Sequence, residues 1–444
     1  MDTELRATPP LLTAIEMGYG HMRAAYALAE AANTEVYCVD EAPLADERER
    51  QQWARARKAY EWMSRSSQIP VLGGPFELAL GVLTSIPRLY PARDLSHTTL
   101  QVRYLEAEAH KGLGRGLVER LRRTGEPLLT TFFAPAVIAD THGLDRLFCV
   151  VTDADIHRVW APADVKRTRI EYLVPTHRTL RRLRSYGVPE QRITVTGFPL
   201  PPSLLGGREL GTLRKNLAAR IGRLDPRGVF RDQHRQEVEH FLGHSAVASQ
   251  GSPAHVVFAV GGAGAQAGLA KRFLPGFRSA IERGRLRLTL VAGTRPAVAA
   301  LFEQAIDKAG LGSRLANGID ILFEPTLPAY FNRFNQLLAE TDVLWTKPSE
   351  LTFFGALGIP LLLAPPVGRH ESYNLRWARE LGAGLKQREA HWVAERLLDW
   401  LDDGTLAGAA FAGYMRMPKF GTYRILDHVA GIRPEPSVPP AAFV

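Results

Sequence analysis

Short apolar runs that alternate with amphipathic stretches constrain the fold of this chain more than any other feature. Each run ends in a turn of small residues, and near-continuous apolar strands separated by helices predict a parallel sheet covered on both faces. The strands predicted in the first half of the chain are 11–15, 35–39, 127–132, 148–152, 171–174 and 193–196. Those predicted in the second half are 255–260, 287–292, 319–323, 343–346 and 360–364. The predicted helices are 23–32, 47–65, 98–123, 296–309, 374–380 and 391–402.

Two such series predict two domains in a chain of 444 residues. The expected fold class is α/β, with two Rossmann-like domains that face a cleft, and a ligand is expected at the carboxyl ends of the strands. The expected boundaries are 1–200 for the N-terminal domain, 201–254 for a polar, arginine-rich linker or insertion, 255–410 for the C-terminal domain and 411–444 for a C-terminal extension.

Composition excludes several other classes of protein. The 45% hydrophobic and 23% charged residues are typical of a globular protein and exclude a disordered or collagen-like chain. The two cysteines, Cys38 and Cys149, are too few for a disulfide framework or a zinc cluster. The net charge of +9 favours anionic partners, but no nucleic-acid-binding module is recognisable, so we expect no nucleic acid among the partners.

The N-terminus and the hydropathy of the chain predict its location. The first ten residues lack the basic region of a secretory signal, and no apolar run reaches the roughly 18–20 residues of a membrane span. We therefore expect a cytoplasmic protein. Peripheral attachment to the inner face of the membrane stays open.

The first candidate site is the glycine turn Gly18-Tyr19-Gly20-His21, between a predicted strand and a predicted helix. Glycines there let a ligand approach the backbone, and the N-terminus of the helix favours an anion. The imidazole of His21 would act as a base near neutral pH. The alternative is a capping turn with an incidental histidine.

The second candidate site is a glycine-rich turn after predicted strand 255–260, with Gly261, Gly262 and Gly264. Backbone N–H groups and the positive end of the following helix would cradle a diphosphate. No Gly-Lys-Ser/Thr follows, so the turn is not a P-loop, and it matches the dinucleotide fingerprint only weakly. A tight turn without a ligand is the alternative.

The third candidate site is the polar segment after the fourth predicted strand, with Asp153, Asp155, His157 and Trp160. The two aspartates spell the D-x-D of metal-dependent sugar transferases, but the pattern is short and we expect no metal. As an alternative, a carboxylate of this segment would orient His21 or His157, because an adjacent anion raises the basicity of an imidazole.

The fourth candidate site consists of two polar pieces in the second half of the chain. The first piece follows predicted strand 343–346 and contains Lys347, Ser349, Glu350 and Thr352. It would meet a sugar diphosphate. The second piece precedes predicted helix 374–380 and contains Glu371 and Asn374, which would meet hydroxyl groups. Taken alone, each piece is unspecific.

In their order and spacing, these four places resemble one family. They are similar to the two-domain GT-B glycosyltransferases that include monogalactosyldiacylglycerol synthases and processive diacylglycerol glucosyltransferases. The N-acetylglucosaminyltransferase that makes lipid II is a more distant likeness. The resemblance covers residues 11–40 and 127–400. It is strongest from Val151 to Pro199, where Thr152-Asp153, His157 and Trp160 match the family pattern.

The resemblance implies an inverting transfer of a sugar from a nucleotide-sugar, usually UDP-linked, to a lipid or other membrane-associated acceptor. It implies no metal and no cofactor, since helix N-termini stabilise the leaving diphosphate. The donor would lie on the C-terminal domain and the acceptor would enter from the N-terminal domain. The implied catalytic residues are His21, Asp153 and His157. The implied donor-binding residues are Gly261, Gly262, Gly264, Lys347, Ser349, Glu350, Thr352, Glu371 and Asn374.

The donor region also departs from the family pattern. Ser349 and Glu350 stand where the family has two glycines, and Gly355 stands where it has a glutamate that binds the ribose hydroxyls. We expect Glu350 to replace that glutamate from about one helical turn earlier. Two alternatives stay open: a degenerate relative that binds nucleotide, sugar or lipid without catalysis, and a nucleotide-sugar epimerase or hydrolase.

The acceptor or membrane side of the prediction uses glycines and aromatic residues. The residues assigned to it are Gly18, Gly20, Trp53, Trp62 and Trp160. The segment between the two tryptophans of predicted helix 47–65 interleaves cations with aromatics, as helices at an anionic membrane surface do. The alternative is a helix packed over the sheet.

Overall fold

A computed structural model of the chain describes residues 9–66, 86–244, 246, 253–261, 264, 266–366 and 369–432, without the side chains of 57–66 and 369–370. These residues form two compact units. The first unit contains Ala24–Leu200 together with the chain up to Met17 and from Phe420 onward. The second contains Pro201–Lys419 together with Gly18–Arg23.

Each unit is built on a parallel sheet of six strands. The strands of the first sheet are β1 (Leu11–Ala14), β2 (Tyr37–Cys38), β3 (Leu128–Thr130), β4 (Leu147–Val150), β5 (Ile170–Val174) and β6 (Ile193–Val195). The strands of the second sheet are β7 (Ala254–Ala259), β8 (Leu286–Gly293), β9 (Ile319–Phe323), β10 (Val343–Thr346), β11 (Leu361–Leu363) and β12 (Gly384–Lys386). All eleven predicted strands are confirmed, and β12 was not predicted.

Helices connect the strands and cover both sheets. In chain order they are α1 (Tyr19–Ala32), α2 (Glu47–Ser66), α3 (Leu100–His110), α4 (Arg115–Thr124), α5 (Phe133–Thr141), α6 (His177–Ser185), α7 (Pro202–Leu205), α8 (Gly211–Leu224), α9 (Val229–Gln233), α10 (Arg235–Leu242), α11 (Ala270–Glu282), α12 (Pro296–Lys308), α13 (Leu327–Glu340), α14 (Arg369–Glu380), α15 (Val393–Asp402), α16 (Thr405–Arg416) and α17 (Gly421–Val429).

The prediction of one long helix over 98–123 is wrong. Two helices, α3 and α4, occupy this stretch, because Gly112 and Gly114 adopt φ angles of 104° and 76°. Those left-handed values lie outside the range of a right-handed α-helix and end α3.

The order of the strands locates the reversal point in each sheet. The first sheet runs β2-β1-β3-β4-β5-β6, so its connections change direction between β1 and β3. The second runs β12-β11-β10-β7-β8-β9, so its connections change direction between β7 and β10. Ligands of open α/β sheets bind outside the carboxyl ends of the strands at such a point.

The described residues of the arginine-rich stretch 201–254, which was predicted as a linker or insertion, lie within the second unit and form helices α7–α10. Arg220 of α8 is buried, and its guanidinium donates hydrogen bonds to the carbonyl oxygens of Thr341 (2.6 Å) and Leu357 (3.0 Å). Burial lowers the pKa of Arg220 to about 10. The polar composition therefore includes a side chain that satisfies carbonyl groups inside the unit.

The expected C-terminal extension, 411–444, is divided between the two units. Its described part contains the end of α16 in the second unit and α17 in the first. Within the first unit, His428 of α17 lies 2.8 Å from the carboxylate of Glu171 in β5. Residues 433–444 lie outside the described part of the chain.

Candidate functional site

The carboxyl edge of the second sheet brings together most of the predicted donor residues. β7 and β10 are paired in parallel, with Ala259 opposite Thr346, so the segments that leave the two strands start side by side. Gly261 follows β7 and Lys347 follows β10. Both therefore lie at the reversal point of this sheet.

Gly261 and Lys347 are in close contact. A Cβ atom on residue 261 would lie 2.5 Å from Cε of Lys347, so only glycine leaves room for the lysine in this position. The ammonium Nζ of Lys347 lies 2.6 Å from Oε1 of Glu371 in α14. The Glu371 side chain is 3% exposed and the Lys347 side chain is 25% exposed, so the pair lies at the border between interior and solvent.

The turn after β7 presents backbone groups and a cation at the same edge. Gly264 adopts a φ of 68°, and its N–H donates to the carbonyl oxygen of Gly261 at 2.7 Å. The turn leads through a short 3-10 helix, Ala267–Leu269, into α11, whose N-terminus favours a negative charge. Arg295, at the end of β8, approaches Gly264, since a Cβ on that glycine would lie 3.6 Å from Cδ of Arg295. Gly262 lies outside the described residues.

The segment after β10 is held from within the second unit. A 3-10 helix spans Glu350–Leu357, and the N–H of Ser349, just before it, donates to the carbonyl oxygen of Lys347 at 2.7 Å. Asn374 is fully buried and donates from Nδ2 to the carbonyl oxygen of Pro348 at 3.1 Å. Thr352 is also fully buried, and its hydroxyl finds no hydrogen-bond partner in the described part of the chain.

Residue 355, where the sequence resemblance would place a ribose-binding glutamate, has no room for a side chain. A Cβ at residue 355 would lie 2.7 Å from Sδ of Met417 and 3.1 Å from Cδ1 of Leu361. Any larger side chain at this place would collide with α16 and β11 neighbours. The carboxylate nearest to it along the chain on the same 3-10 helix is that of Glu350.

The glycine turn after β1 joins the second unit through the first turn of α1. The N–H of Thr294, after β8, donates to the phenol oxygen of Tyr19 at 3.0 Å. The backbone of Gly20 lies against Glu350, since a Cβ on Gly20 would be 3.4 Å from Cβ and Oε2 of that residue. Arg23 lies 3.6 Å from Glu350, measured from Nε to Oε1.

Gly18 and His21 stand at the start of the same helix. Gly18 adopts a φ of 114° immediately before α1 begins, and His21 lies in the first turn and is half-buried. Tyr19 and Arg23 are four residues apart and therefore share one face of the helix. His21, two residues from each, projects from the opposite face.

The polar segment after β4 lies in the first unit, and its two aspartates have different environments. Asp155 is fully buried, and Arg182 and Arg178 donate to its two carboxylate oxygens at 2.7 Å and 2.8 Å. The side chains of Arg182 and Asp155 are both fully buried, so this ion pair belongs to the interior of the first unit. Asp153 and His157 are half-buried. Among the described residues, no group of three His, Cys, Asp or Glu side chains lies close enough to hold a metal ion.

An apolar pocket lies at the reversal point of the first sheet. Its volume is about 70 Å³, and its walls come from the ends of β1 and β3 and from α2 and α3. The residues that line it include Ile15, Met17, Trp53, Tyr104, Phe132 and Phe133. Gln101 and Glu108 are the polar residues at its wall.

The three predicted acceptor-side tryptophans have different places. Trp53 is 4% exposed and lines the apolar pocket from the protein interior. Trp160 is buried against Phe133, with ring centroids 5.5 Å apart. The Trp62 side chain lies outside the described residues.

Sequence reasoning missed three side chains at the second-unit edge: Tyr19, Arg23 and Arg295. Arg23 offers a signal, because it is a charged residue directly between the apolar residues Met22 and Ala24. Arg295 lies two residues after the end of β8, at the edge where ligands of such sheets bind.

Comparison with known proteins supports the fold. A family model described as a domain of unknown function (DUF6938) matches residues 310–423. No curated protein matches the chain. The solved structure of MurG from Acinetobacter baumannii is similar at 12% sequence identity, with a TM-score of 0.50 over 95% of this chain and 99% of that chain.

Two weaker structural likenesses are a nucleotide-sugar enzyme and a glycosyltransferase. UDP-GlcNAc 2-epimerase from Neisseria meningitidis, solved with UDP-GlcNAc, has 12% identity and a TM-score of 0.46 over 95% of this chain and 97% of that chain. The glycosyltransferase SnogD from Streptomyces nogalater has 14% identity and a TM-score of 0.44 over 96% of this chain and 100% of that chain. No helix among the described residues is long and apolar enough to cross a membrane. The predicted fold class is confirmed: the chain has two Rossmann-like α/β units of the GT-B type.

Proposed function

We propose that the protein is an inverting, metal-independent glycosyltransferase that moves a hexose from a UDP-sugar to a lipid acceptor at the inner face of the membrane. The observation that carries the proposal is the contact of Gly261 with Lys347 at the reversal point of the second sheet, with Lys347 held by Glu371. The identity of the nucleotide and the class of acceptor rest on the sequence resemblance.

The donor diphosphate would lie across the turn that follows β7. The N-terminus of α11, which follows this turn, favours an anion there. Lys347 and Arg295 add two cations from the neighbouring strands. The ion pair with Glu371 holds the ammonium of Lys347 in place before the donor binds. These groups would stabilise the charge that develops on the diphosphate as the glycosidic bond breaks.

His21 is the proposed general base. Its imidazole would take the proton of the acceptor hydroxyl while the hydroxyl oxygen forms a bond to the anomeric carbon. The bond from that carbon to the diphosphate oxygen breaks at the same time, and its electron pair leaves with UDP. Attack from the face opposite the leaving group inverts the anomeric centre. Asp153 and His157 are proposed as further catalytic residues on the strength of the sequence resemblance.

The apolar pocket of the first unit supports a lipid acceptor. Its walls are almost wholly aliphatic and aromatic, and such a lining favours a hydrocarbon chain over a sugar or a peptide. Since Trp53 faces this pocket from the interior, we assign it to the acceptor and not to the membrane surface.

A transfer assay tests the proposal. Purified protein is incubated with radiolabelled UDP-glucose, UDP-galactose or UDP-N-acetylglucosamine and with vesicles that contain diacylglycerol and anionic lipid. We expect label in the organic phase with one of the donors, and we expect its loss in the His21→Ala variant. Conversion of the donor without acceptor would instead indicate an epimerase or hydrolase, and saturable UDP binding without any turnover would indicate a degenerate binding protein.

A further inference from the structure

Arg23 has an unusual environment for a charged residue. It is 2% exposed and lies in the first part of α1, within the second unit. Four aromatic rings surround its guanidinium, with distances from Cζ to the ring centroids of 4.5 Å for Phe334, 4.9 Å for Phe331, 5.6 Å for Tyr330 and 5.7 Å for Phe354. Such rings stabilise a cation but accept no strong hydrogen bonds from it.

The guanidinium is poorly satisfied by hydrogen bonds. Its Nη2 donates to the phenol oxygen of Tyr330 at 3.3 Å, whereas Nε and Nη1 are buried without a hydrogen-bond partner in the described part of the chain. Burial raises the pKa of Tyr330 to about 12, so the phenol stays neutral and supplies no counter-charge. A buried charge is costly unless an opposite charge lies near it. Glu350, at 3.6 Å, supplies that charge.

The Glu350 carboxylate lies between Arg23 and Gly20. Its side chain is 12% exposed, with Arg23 on the side of Oε1 and the backbone of Gly20 on the side of Oε2. Because residue 20 is a glycine, no side chain at that position lies over Oε2. Since Glu350 begins the 3-10 helix after β10, its carboxylate lies on the segment that also carries Lys347.

We propose that Arg23 is a positioning residue for donor recognition: it holds the Glu350 carboxylate in one orientation so that the free lone pairs accept hydrogen bonds from the ribose hydroxyls. This inference rests on the proposed function, because it assumes a ribonucleotide donor at the carboxyl edge of the second sheet. The aromatic rings fix the guanidinium, and the guanidinium then fixes the carboxylate. Arg23 itself does not touch the donor.

Nucleotides with and without the 2′-hydroxyl test this role. The dissociation constants of UDP and 2′-deoxy-UDP are measured by titration calorimetry for the wild type, Arg23→Lys and Glu350→Gln. We expect the wild type to prefer UDP by about tenfold, as a hydrogen bond to a charged group provides. In Arg23→Lys the cation remains but its fork geometry is lost, so we expect the preference to fall to about twofold or less while 2′-deoxy-UDP binds as before. Glu350→Gln is expected to lose the preference as well.

Arg295→Lys is the matched control, since it alters an arginine of the same edge to which the proposed function assigns the diphosphate. It should weaken both nucleotides alike and leave their ratio unchanged. If Arg23→Lys does not fold, Tyr330→Phe removes the hydrogen bond between the guanidinium and the phenol oxygen of residue 330 and keeps the ring, and it should lower the ratio about two- to threefold.

The outcomes separate the inference from the proposed function. A wild-type preference that persists in Arg23→Lys, or in Tyr330→Phe where that variant replaces it, overturns the role of Arg23 and leaves the proposed function intact. Equal weakening of both nucleotides in Arg23→Lys would show a merely structural residue and would also overturn it. Failure of the wild type to bind UDP overturns the proposed function, and the inference falls with it.

Discussion

Alanine at position 261 places a methyl group where Lys347 crosses the turn after β7. The new Cβ would lie 2.5 Å from Cε, 3.3 Å from Cδ and 3.4 Å from Nζ of Lys347. Non-bonded carbon atoms approach to about 3.5–4.0 Å, so Cε has to move by roughly 1 Å or more. The backbone of residue 261 can stay where it is, since a lysine end is more easily displaced than a strand. The perturbation therefore acts on the lysine.

The displacement acts on the ion pair of Lys347 with Glu371. The ammonium Nζ of Lys347 now lies 2.6 Å from Oε1 of Glu371. If the ammonium moves beyond hydrogen-bond range, the Glu371 carboxylate, whose side chain is only 3% exposed, loses this partner. The loss of a hydrogen bond between charged groups costs about 1.5–3 kcal/mol. At about 2–4 °C per kcal/mol, the melting temperature should fall by about 5 °C. We also expect the dissociation constant of UDP to rise about tenfold, which corresponds to about 1.4 kcal/mol.

Thermal unfolding and UDP titration of Gly261→Ala measure both effects. Gly268→Ala is the matched control, because Gly268 lies in the 3-10 helix after the same turn and a Cβ there would meet nothing within 4 Å. Both variants gain one methyl group and lose the same backbone freedom. A Gly261→Ala protein that melts and binds UDP like Gly268→Ala would refute the assignment of this contact to the donor site.

Three further predictions test other parts of the account. His21→Ala should slow glycosyl transfer by about 10²–10⁴-fold and leave the dissociation constant of UDP unchanged. Wild-type turnover of this variant in steady-state kinetics would contradict the assignment of His21 as the general base. Asp155→Asn should lower the free energy of unfolding by about 3–5 kcal/mol because it breaks a buried ion pair, whereas Asp153→Asn should change it by about 0.5 kcal/mol or less. Equal midpoints of the two variants in urea unfolding would contradict this difference. Burial, aided by the charge of Arg287, lowers the pKa of His255 from 6.5 to about 3. Between these two pH values the imidazole is protonated in the unfolded chain and neutral in the folded chain. The free energy of unfolding therefore falls as the pH drops through this window, by about 2 kcal/mol at about pH 5. Between about pH 7 and about pH 5, the free energy of unfolding of His255→Gln, measured by denaturation, should fall by about 2 kcal/mol less than that of the wild type.

The strands could be predicted because their signal is local. Each predicted strand is a short apolar run that ends in a turn, and burial on both faces of a parallel sheet makes such runs nearly continuous. β12 escaped because Gly384–Lys386 is a short edge strand that is only half-buried, so its composition carries no apolar run. The helix prediction over 98–123 failed because Gly112 and Gly114 adopt left-handed φ angles that end α3.

The environments of the site residues were less predictable, because they depend on contacts between distant parts of the chain. Asp153 and Asp155 look alike in sequence, and only the approach of Arg182 from α6 assigns Asp155 to the interior. The aromatic rings around Arg23, such as that of Phe334, lie more than 300 residues further along the chain, so no local sequence pattern predicts this contact. By contrast, Gly261 and Lys347 were predicted as parts of two separate candidate sites because each follows a predicted strand, and the structure brings them together at one sheet edge.

The central claim is that the carboxyl edge of the second sheet binds the donor nucleotide. A crystal structure of the protein with UDP tests it most directly. The account predicts density for the diphosphate beside Gly261 and Lys347, within hydrogen-bond distance of backbone N–H groups of the turn after β7, and density for the ribose against Glu350. UDP bound elsewhere on the protein, or absent at saturating concentration, would contradict it.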